Sequence, residues 1–316
     1  MSPYSILGKT GIEVSKICFG TLTMGPLQSD LSPRAGGELI ALADRRGVNF
    51  FDTAQLYGTY AHLREGMKLS GRHDLVVSTK TYAYTRELAM QAVEQARREL
   101  DRDYIDIFML HEQESIHTLR GHAPALEYLL ECKQKGVIKA VGASMHHIAT
   151  VYGAVQTGLD VIHPLLNREG LGIADGSADE MLTAIKAAHK AGIGVFSMKP
   201  LGGGNLFKTA PACLDYVLAQ NCIDSVAIGM QSAKELEANI NYFSTGCFTP
   251  EQEKYLNEKT RRLHIDDWCE GCGKCVPVCA ANAIDIAGGR AVCDRSKCLL
   301  CGYCAARCPV FAIKIV

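Results

Sequence analysis

LVVSTKTYAYTRELAMQAVEQARRELDRDYIDIFML, residues 75–110, reads as one complete strand–helix–strand unit. Two short apolar segments, Leu75–Lys80 and Tyr104–Leu110, flank a periodic helix over Arg86–Leu100. Strands joined by a crossing helix lie parallel in one sheet. The same alternation extends in both directions. Strands are expected at Lys16–Thr21 and Val48–Thr53 before this unit, and at Val137–Ala143, Val161–Pro164, Gly194–Met198 and Ser225–Ile228 after it. Helices are expected over Pro124–Lys135, Asp179–Ala191 and Ala233–Phe243. Eight strand–helix units imply a closed parallel (β/α)8 barrel of the TIM type, class α/β, rather than an open sheet. A hairpin over Tyr4–Val14, with a GKTG turn, precedes the first barrel strand.

The barrel is expected to occupy residues 1–245. Thr249 and Pro250 then read as an N-cap and a first helical residue, with Gln252 placed for a capping box. That helix, through about Arg262, makes 246–262 a structured joint. No low-complexity linker is visible, so the final unit, 263–316, should sit at a fixed distance from the barrel.

This final unit holds one cysteine run twice. Cys269, Cys272, Cys275 and Cys279 are answered by Cys298, Cys301, Cys304 and Cys308. The doubled C-x2-C-x2-C-x3-C spacing is the ligand pattern of two [4Fe-4S] clusters, in which the fourth cysteine of each run reaches the other cluster. One cluster is therefore expected on Cys269, Cys272, Cys275 and Cys308, the other on Cys298, Cys301, Cys304 and Cys279. Gly273 and Gly302 allow close backbone approach. Pro309 follows the last ligand, while Ala280 stands where the first run would carry its proline. At an offset of 29 residues, Ala283, Ile284 and Ile286 match Ala312, Ile313 and Ile315, which marks an internal duplication of loop, short helical turn and apolar strand. The region resembles a small α+β bacterial dicluster ferredoxin domain. Zinc sites and disulfides fit the spacing poorly. The other cysteines, Cys18, Cys132, Cys213, Cys222, Cys247 and Cys293, read as small buried residues or free thiols; for Cys293, between the two runs, a spare thiol near a cluster is the alternative.

At 316 residues the chain is long enough for two unequal units, and 47% hydrophobic with 21% charged residues suits a packed globular protein. A net charge of −1 gives no electrostatic case for nucleic acid or an anionic membrane. No signal core or spanning segment is apparent, so a cytoplasmic location is expected.

Catalytic residues of such barrels lie at the C-terminal ends of strands. Asp52 ends the second strand and Tyr57 follows in its loop; Lys80 ends the third, and His111 the fourth. Together they resemble the Asp–Tyr–Lys–His tetrad of the aldo-keto reductases, a likeness that extends from about Tyr4 to Phe243. A carbonyl that accepts hydride also needs a proton, and a free phenol holds its proton tightly. An ammonium beside it, Lys80 oriented by Asp52, is expected to lower that pKa. His111 would donate a hydrogen bond to the substrate oxygen. His117, His122, His146 and His147 belong to no such group and read as surface or loop residues.

The resemblance implies NADP(H). Gly20 and Thr21 fall where the family's first strand meets the cofactor, and Ser144 matches the serine of a Ser–Asn pair on the nicotinamide amide. KPLGGG (Lys199–Gly204), with Leu201 and Gly202, matches the loop over the pyrophosphate, and Ser232 and Asn239 match the segment near the adenosine. Four positions depart from the pattern. Met145 replaces the asparagine, His163 the glutamine that completes the amide contact, and Met198 a stacking tyrosine. Glu235 stands where an arginine commonly meets the 2′-phosphate, which tilts the expectation toward NAD(H), with Lys234 in partial compensation.

The expected function is interconversion of a small-molecule carbonyl and alcohol by a nicotinamide, with the clusters passing electrons to or from a redox partner protein. A nicotinamide-independent, one-electron reduction fed by the clusters is the alternative. A third reading is an electron carrier with a relic barrel, against which the complete tetrad argues. Substrate selection is expected from Leu22–Ser32, Leu56–Tyr60, Glu112–His122 and Asn167–Asp179.

Overall fold

The computed structural model describes residues 3–316. Strands β1 (Tyr4–Ile6) and β2 (Glu13–Ser15) form the expected antiparallel hairpin. Leu7 and Val14 from this hairpin are fully buried against the barrel's inner residues Phe50, Ile107 and Phe196, so it caps one end.

The barrel is closed and parallel: β3 (Ile17–Gly20), β4 (Phe50–Asp52), β5 (Val76–Thr81), β6 (Ile105–Gln113), β7 (Ile138–Met145), β8 (Val161–Pro164), β9 (Gly194–Met198) and β10 (Ser225–Gly229), with β10 returning to β3. Around it lie α1 (Pro33–Arg45), α2 (Tyr60–Ser70), α3 (Arg86–Leu100), α4 (Ile116–Gly121), α5 (Ala123–Gln134), α6 (Ile148–Thr157), α7 (Ala178–Lys190), α8 (Ala210–Leu218) and α9 (Ala233–Thr245). Side chains alternate along each strand, so each feeds two cores. One fills the barrel, and the larger lies between strands and helices. Local signals set the helix starts. Ser32, Thr85 and Ser177 accept hydrogen bonds from the first turns of α1, α3 and α7, and Glu180 completes a capping box with Ser177.

Helix α10 (Pro250–Glu258) begins as expected, with Thr249 and Gln252 forming both halves of a capping box. It stops at Glu258, short of the expected Arg262, because Lys259 turns extended (ψ 125°) and leads into β11 (Leu263–Ile265). Strands β12 (Ile284–Ala287), β13 (Arg290–Cys293) and β14 (Ile313–Ile315) follow, pairing β12 with β13 and β11 with β14, both antiparallel. The sequence duplication is also a backbone duplication. Left-handed residues recur at the same offset: Gly271 with Leu300, Gly273 with Gly302, and Asn282 with Phe311.

The C-terminal unit docks directly on the rim of the barrel. Ile315 N–H donates to Gly203 O at 3.1 Å, and Asn205 Nδ2 donates to Ile313 O at 3.1 Å. Phe311 is buried against Leu165 and Met198. Among the described residues no helix is long and apolar enough to cross a membrane.

Candidate functional site

Strand ends place the four sequence-picked polar residues together. Lys80 Nζ donates to Asp52 Oδ2 and to Thr53 O, each at 2.7 Å. Their side chains are 1% and 6% exposed, and charges that deep are tolerated only as a pair. Tyr57 sits on a short 3-10 turn (Gln55–Tyr57) that Gly58 closes at φ 65°. The Lys80 ammonium lies 4.8 Å from the Tyr57 ring centroid, and the His111 ring meets Tyr57 edge-on at 5.7 Å.

Electrostatics departs from expectation in one respect. Burial raises the Tyr57 pKa well above its ordinary value, and Asp52, Glu112 and Tyr82 push it the same way. The expected acidification fails because burial dominates, and the negative charge of Asp52, the partner of Lys80, adds to it. Burial also works against the Asp52 carboxylate, but Lys80 and His163 outweigh it and hold the group at about 2. Burial and then Lys80 bring His111 down to about 3, so its imidazole is neutral near pH 7 and can donate only one N–H. Its Nδ1 is buried without a partner.

Two further residues surround His111: Tyr82, which sequence reasoning missed, and Glu112, expected only as the start of a substrate loop. Tyr82 stacks on His111 at 4.4 Å, and Tyr82 Oη donates to Glu112 Oε2 at 2.5 Å. Glu112 adopts φ 48° within the strand's register irregularity between Leu110 and Gln113. Its position next to His111 was the only available signal. His146 lies in the loop after β7, as expected, but its side chain is only 17% exposed. It lies on the rim, where Lys199 Nζ donates to its Nε2 at 2.7 Å, and its ring meets Phe311. Burial lowers Lys199 to about 8.

The residues expected to hold a nicotinamide divide into two groups. Gly20, His163, Lys199, Leu201 and Asn239 line one cleft together with Asp52 and Tyr57. Thr21, Ser144, Gly202 and Ser232 face elsewhere. Thr21 is buried with Oγ1 donating to Asp52 O at 3.0 Å, and Ser144 Oγ accepts from Glu112 N–H at 2.8 Å. Ser232 caps α9 by accepting from Glu235 N–H. His163 is committed as well: its Nδ1 lies 2.6 Å from Phe196 O and its Nε2 3.6 Å from Asp52. The KPLGGG glycines meet the C-terminal strand. A Cβ on Gly204, at φ 84°, would lie 1.9 Å from Ile315 O. The far end of the cleft is walled by Lys259, Arg261, Lys314 and Ile315, none of which the barrel's motifs announce.

The cysteines fit the crossed cluster assignment. Cys269, Cys272, Cys275 and Cys308 line one cavity with Ile286 and Ile313. The thiols acting on Cys275 are those of Cys308, Cys269 and Cys272. Cys293 lies beside Cys298 and Cys279, so these two expected partners of the other set are neighbours. Backbone N–H groups of Ala283, Ala291 and Ala312 donate to Cys279, Cys269 and Cys308 sulfurs at 3.2–3.4 Å, an arrangement that stabilises thiolates.

Residues 16–212 match the Aldo/keto reductase family, and residues 268–312 match a 4Fe-4S dicluster domain. An L-galactose dehydrogenase of Arabidopsis thaliana is 28% identical over 282 residues, which cover 74% of this chain and 86% of that protein. The chloroplastic pyridoxal reductase of the same plant is 28% identical over 224 residues, 62% of this chain and 59% of that protein. In fold, an aldo-keto reductase of Bacillus halodurans in its holo form superposes with a TM-score of 0.65 at 21% identity, over 81% of this chain and 95% of that one.

Proposed function

The chain belongs to the aldo/keto reductase family and carries a 4Fe-4S dicluster domain, and from that premise we propose that this oxidoreductase interconverts a small-molecule carbonyl and its alcohol. In this reading 1–245 hold the reacting groups, 246–262 the joint and 263–316 the electron-carrying clusters, which exchange electrons with a partner protein. The observation that carries it is the buried Lys80–Asp52 pair beneath Tyr57, with neutral His111 edge-on. Bound nicotinamide, NAD(H) or NADP(H), would supply or accept a hydride, and the clusters would carry single electrons.

The side chains handle the proton. Tyr57 rests protonated and gives its Oη proton to the substrate oxygen in reduction, taking it back in oxidation. His111 donates one N–H to the same oxygen, and the Lys80–Asp52 pair stabilises the phenolate as it forms. Gly20, His163, Lys199, Leu201 and Asn239 are the cofactor-facing residues; Thr21, Ser144, Gly202 and Ser232 support them from behind. The L-galactose dehydrogenase and pyridoxal reductase among the relatives accord with this reaction class.

The test is turnover of aldehydes and ketones by anaerobically purified protein with NADPH or NADH. Tyr57→Phe should lower kcat by about 10²–10⁴ while leaving nucleotide binding unchanged. Wild-type turnover by that variant would remove Tyr57 from the reaction.

One observation favours a second reading. His163 and Ser144, both placed by resemblance on the nicotinamide amide, are committed to other partners. Without a nicotinamide, two electrons would arrive singly from the clusters. Tyr57, Lys80 and His111 would stabilise the ketyl oxygen until two protons had been added. Saturable nucleotide binding excludes this alternative.

A further inference from the structure

The cleft that begins at Tyr57 runs beyond the barrel, and its far end is built by the joint between the two units. Three cations stand there, in different situations. Lys314 Nζ donates to Phe311 O and lies 3.8 Å from Asp266 Oδ2. Lys259 is ion-paired with Glu235 through Oε1, while Glu235 Oε2 accepts from Gln231 N–H at 2.7 Å. The carboxylate expected to repel a phosphate is therefore neutralised, and it neutralises Lys259 in turn.

Arg261 is the remaining cation. Its guanidinium lies 4.3 Å from the Phe207 ring centroid, and Nη1 donates to Lys259 O at 3.2 Å. Among the described residues no carboxylate lies within ion-pairing distance of it; Glu235, already paired with Lys259, acts on it only from farther away. The group cannot shed its charge by deprotonation, and burial penalises that charge. A half-buried, permanently charged fork lining a cleft is stabilised by an anion, and its planar donors suit phosphate oxygens in pairs. Glu235 and Asn239, from the first two turns of α9, line the same end, so the helix dipole adds to the attraction for negative charge.

We infer that Arg261 binds a phosphate group of the dinucleotide, so that a residue outside the barrel completes the cofactor cleft. This rests on the nicotinamide reading of the proposed function. It also ties the cofactor to the docking of the cluster unit: Arg262, the next residue, pairs its backbone with Val316, and Leu263 pairs with Ile315.

The test is direct binding of NADPH and of NADH, by calorimetry, to cluster-loaded wild type, Arg261→Gln and Arg261→Lys. Iron content and the visible spectrum serve as checks of folding. Arg261→Gln should bind about 10- to 100-fold more weakly, the range expected for a charge-assisted hydrogen bond, and Arg261→Lys should recover part of the loss. Loss confined to NADPH places Arg261 on the 2′-phosphate; equal loss for both places it on the pyrophosphate; either supports the inference. Wild-type affinity of Arg261→Gln for both nucleotides overturns it and leaves the proposed function standing. Absence of binding by the wild type overturns both. If the glutamine variant fails to fold, Arg261→Met, which keeps an apolar stem over Phe207 and removes the charge, carries the same test: wild-type affinity for both nucleotides overturns the inference.

Discussion

Asp52 shows what a single side chain contributes both to stability and to the site. Its carboxyl is depressed from 3.8 to about 2, a shift worth about 2 kcal/mol. That contribution is fully present above pH 3.8 and is lost as pH falls toward 2. His111 adds a separate acid liability. The folded protein keeps it neutral down to about 3 against an ordinary 6.5, so stability declines as pH falls from 6.5 toward 3. At pH 7, Asp52→Asn strands the Lys80 ammonium in the barrel and should cost about 3–5 kcal/mol in anaerobic urea unfolding. Adding Lys80→Met should recover part of that loss, because an apolar side chain needs no counter-charge; a larger loss in the double variant would contradict the pairing. The tetrad was legible because each member follows a strand end in the sequence. The raised pKa of Tyr57 was not, since it depends first on burial of the phenol and then on Asp52, Glu112 and Tyr82 converging around it.

Among the elements, barrel strands and their helices were readable from periodicity, and α10 from its cap, because those signals are local. The KPLGGG loop carries a second demand that its sequence hides. Resemblance gives its glycines to a cofactor, and Gly203 and Gly204 also adopt positive φ and admit β14 at backbone contact, a requirement set by residues more than 100 positions away. Gly246 provides a control, since it has φ 78° with nothing within 4 Å of the place a Cβ would take. Gly246→Ala should cost only the left-handed penalty of about 1–2 kcal/mol. Gly204→Ala adds a collision with Ile315 O and should cost more than about 3 kcal/mol or undock β14. Undocking would be read as faster bleaching of the clusters in air. Equal effects of the two substitutions would mean that the loop does not hold the C-terminal unit.

On the scale of the whole molecule, the duplicated cysteine unit is asymmetric in its contacts with the barrel. Asn282 and Phe311 occupy equivalent left-handed positions in the two repeats, yet only Phe311 packs into the rim, against Leu165 and Met198 and beside His146. Phe311 lies three residues after Cys308, whose carbonyl accepts its N–H at 3.2 Å. The cluster expected on Cys269, Cys272, Cys275 and Cys308 is thus tied to the rim through Phe311, while the loop of the other meets the rim at Gly302, beside Asn205, and presents Leu299 and Tyr303 to solvent. Cys308→Ala and Cys279→Ala should each reduce iron from about eight to about four atoms per chain, but with different consequences. After reduction by dithionite, the Cys279→Ala protein should still be reoxidised by the substrate that the wild type turns over, if the cluster tied to the rim through Phe311 is the one that serves the site. The Cys308→Ala protein should stay reduced. Reoxidation at equal rates in both variants would show that the contact at Phe311 does not determine which cluster serves the site.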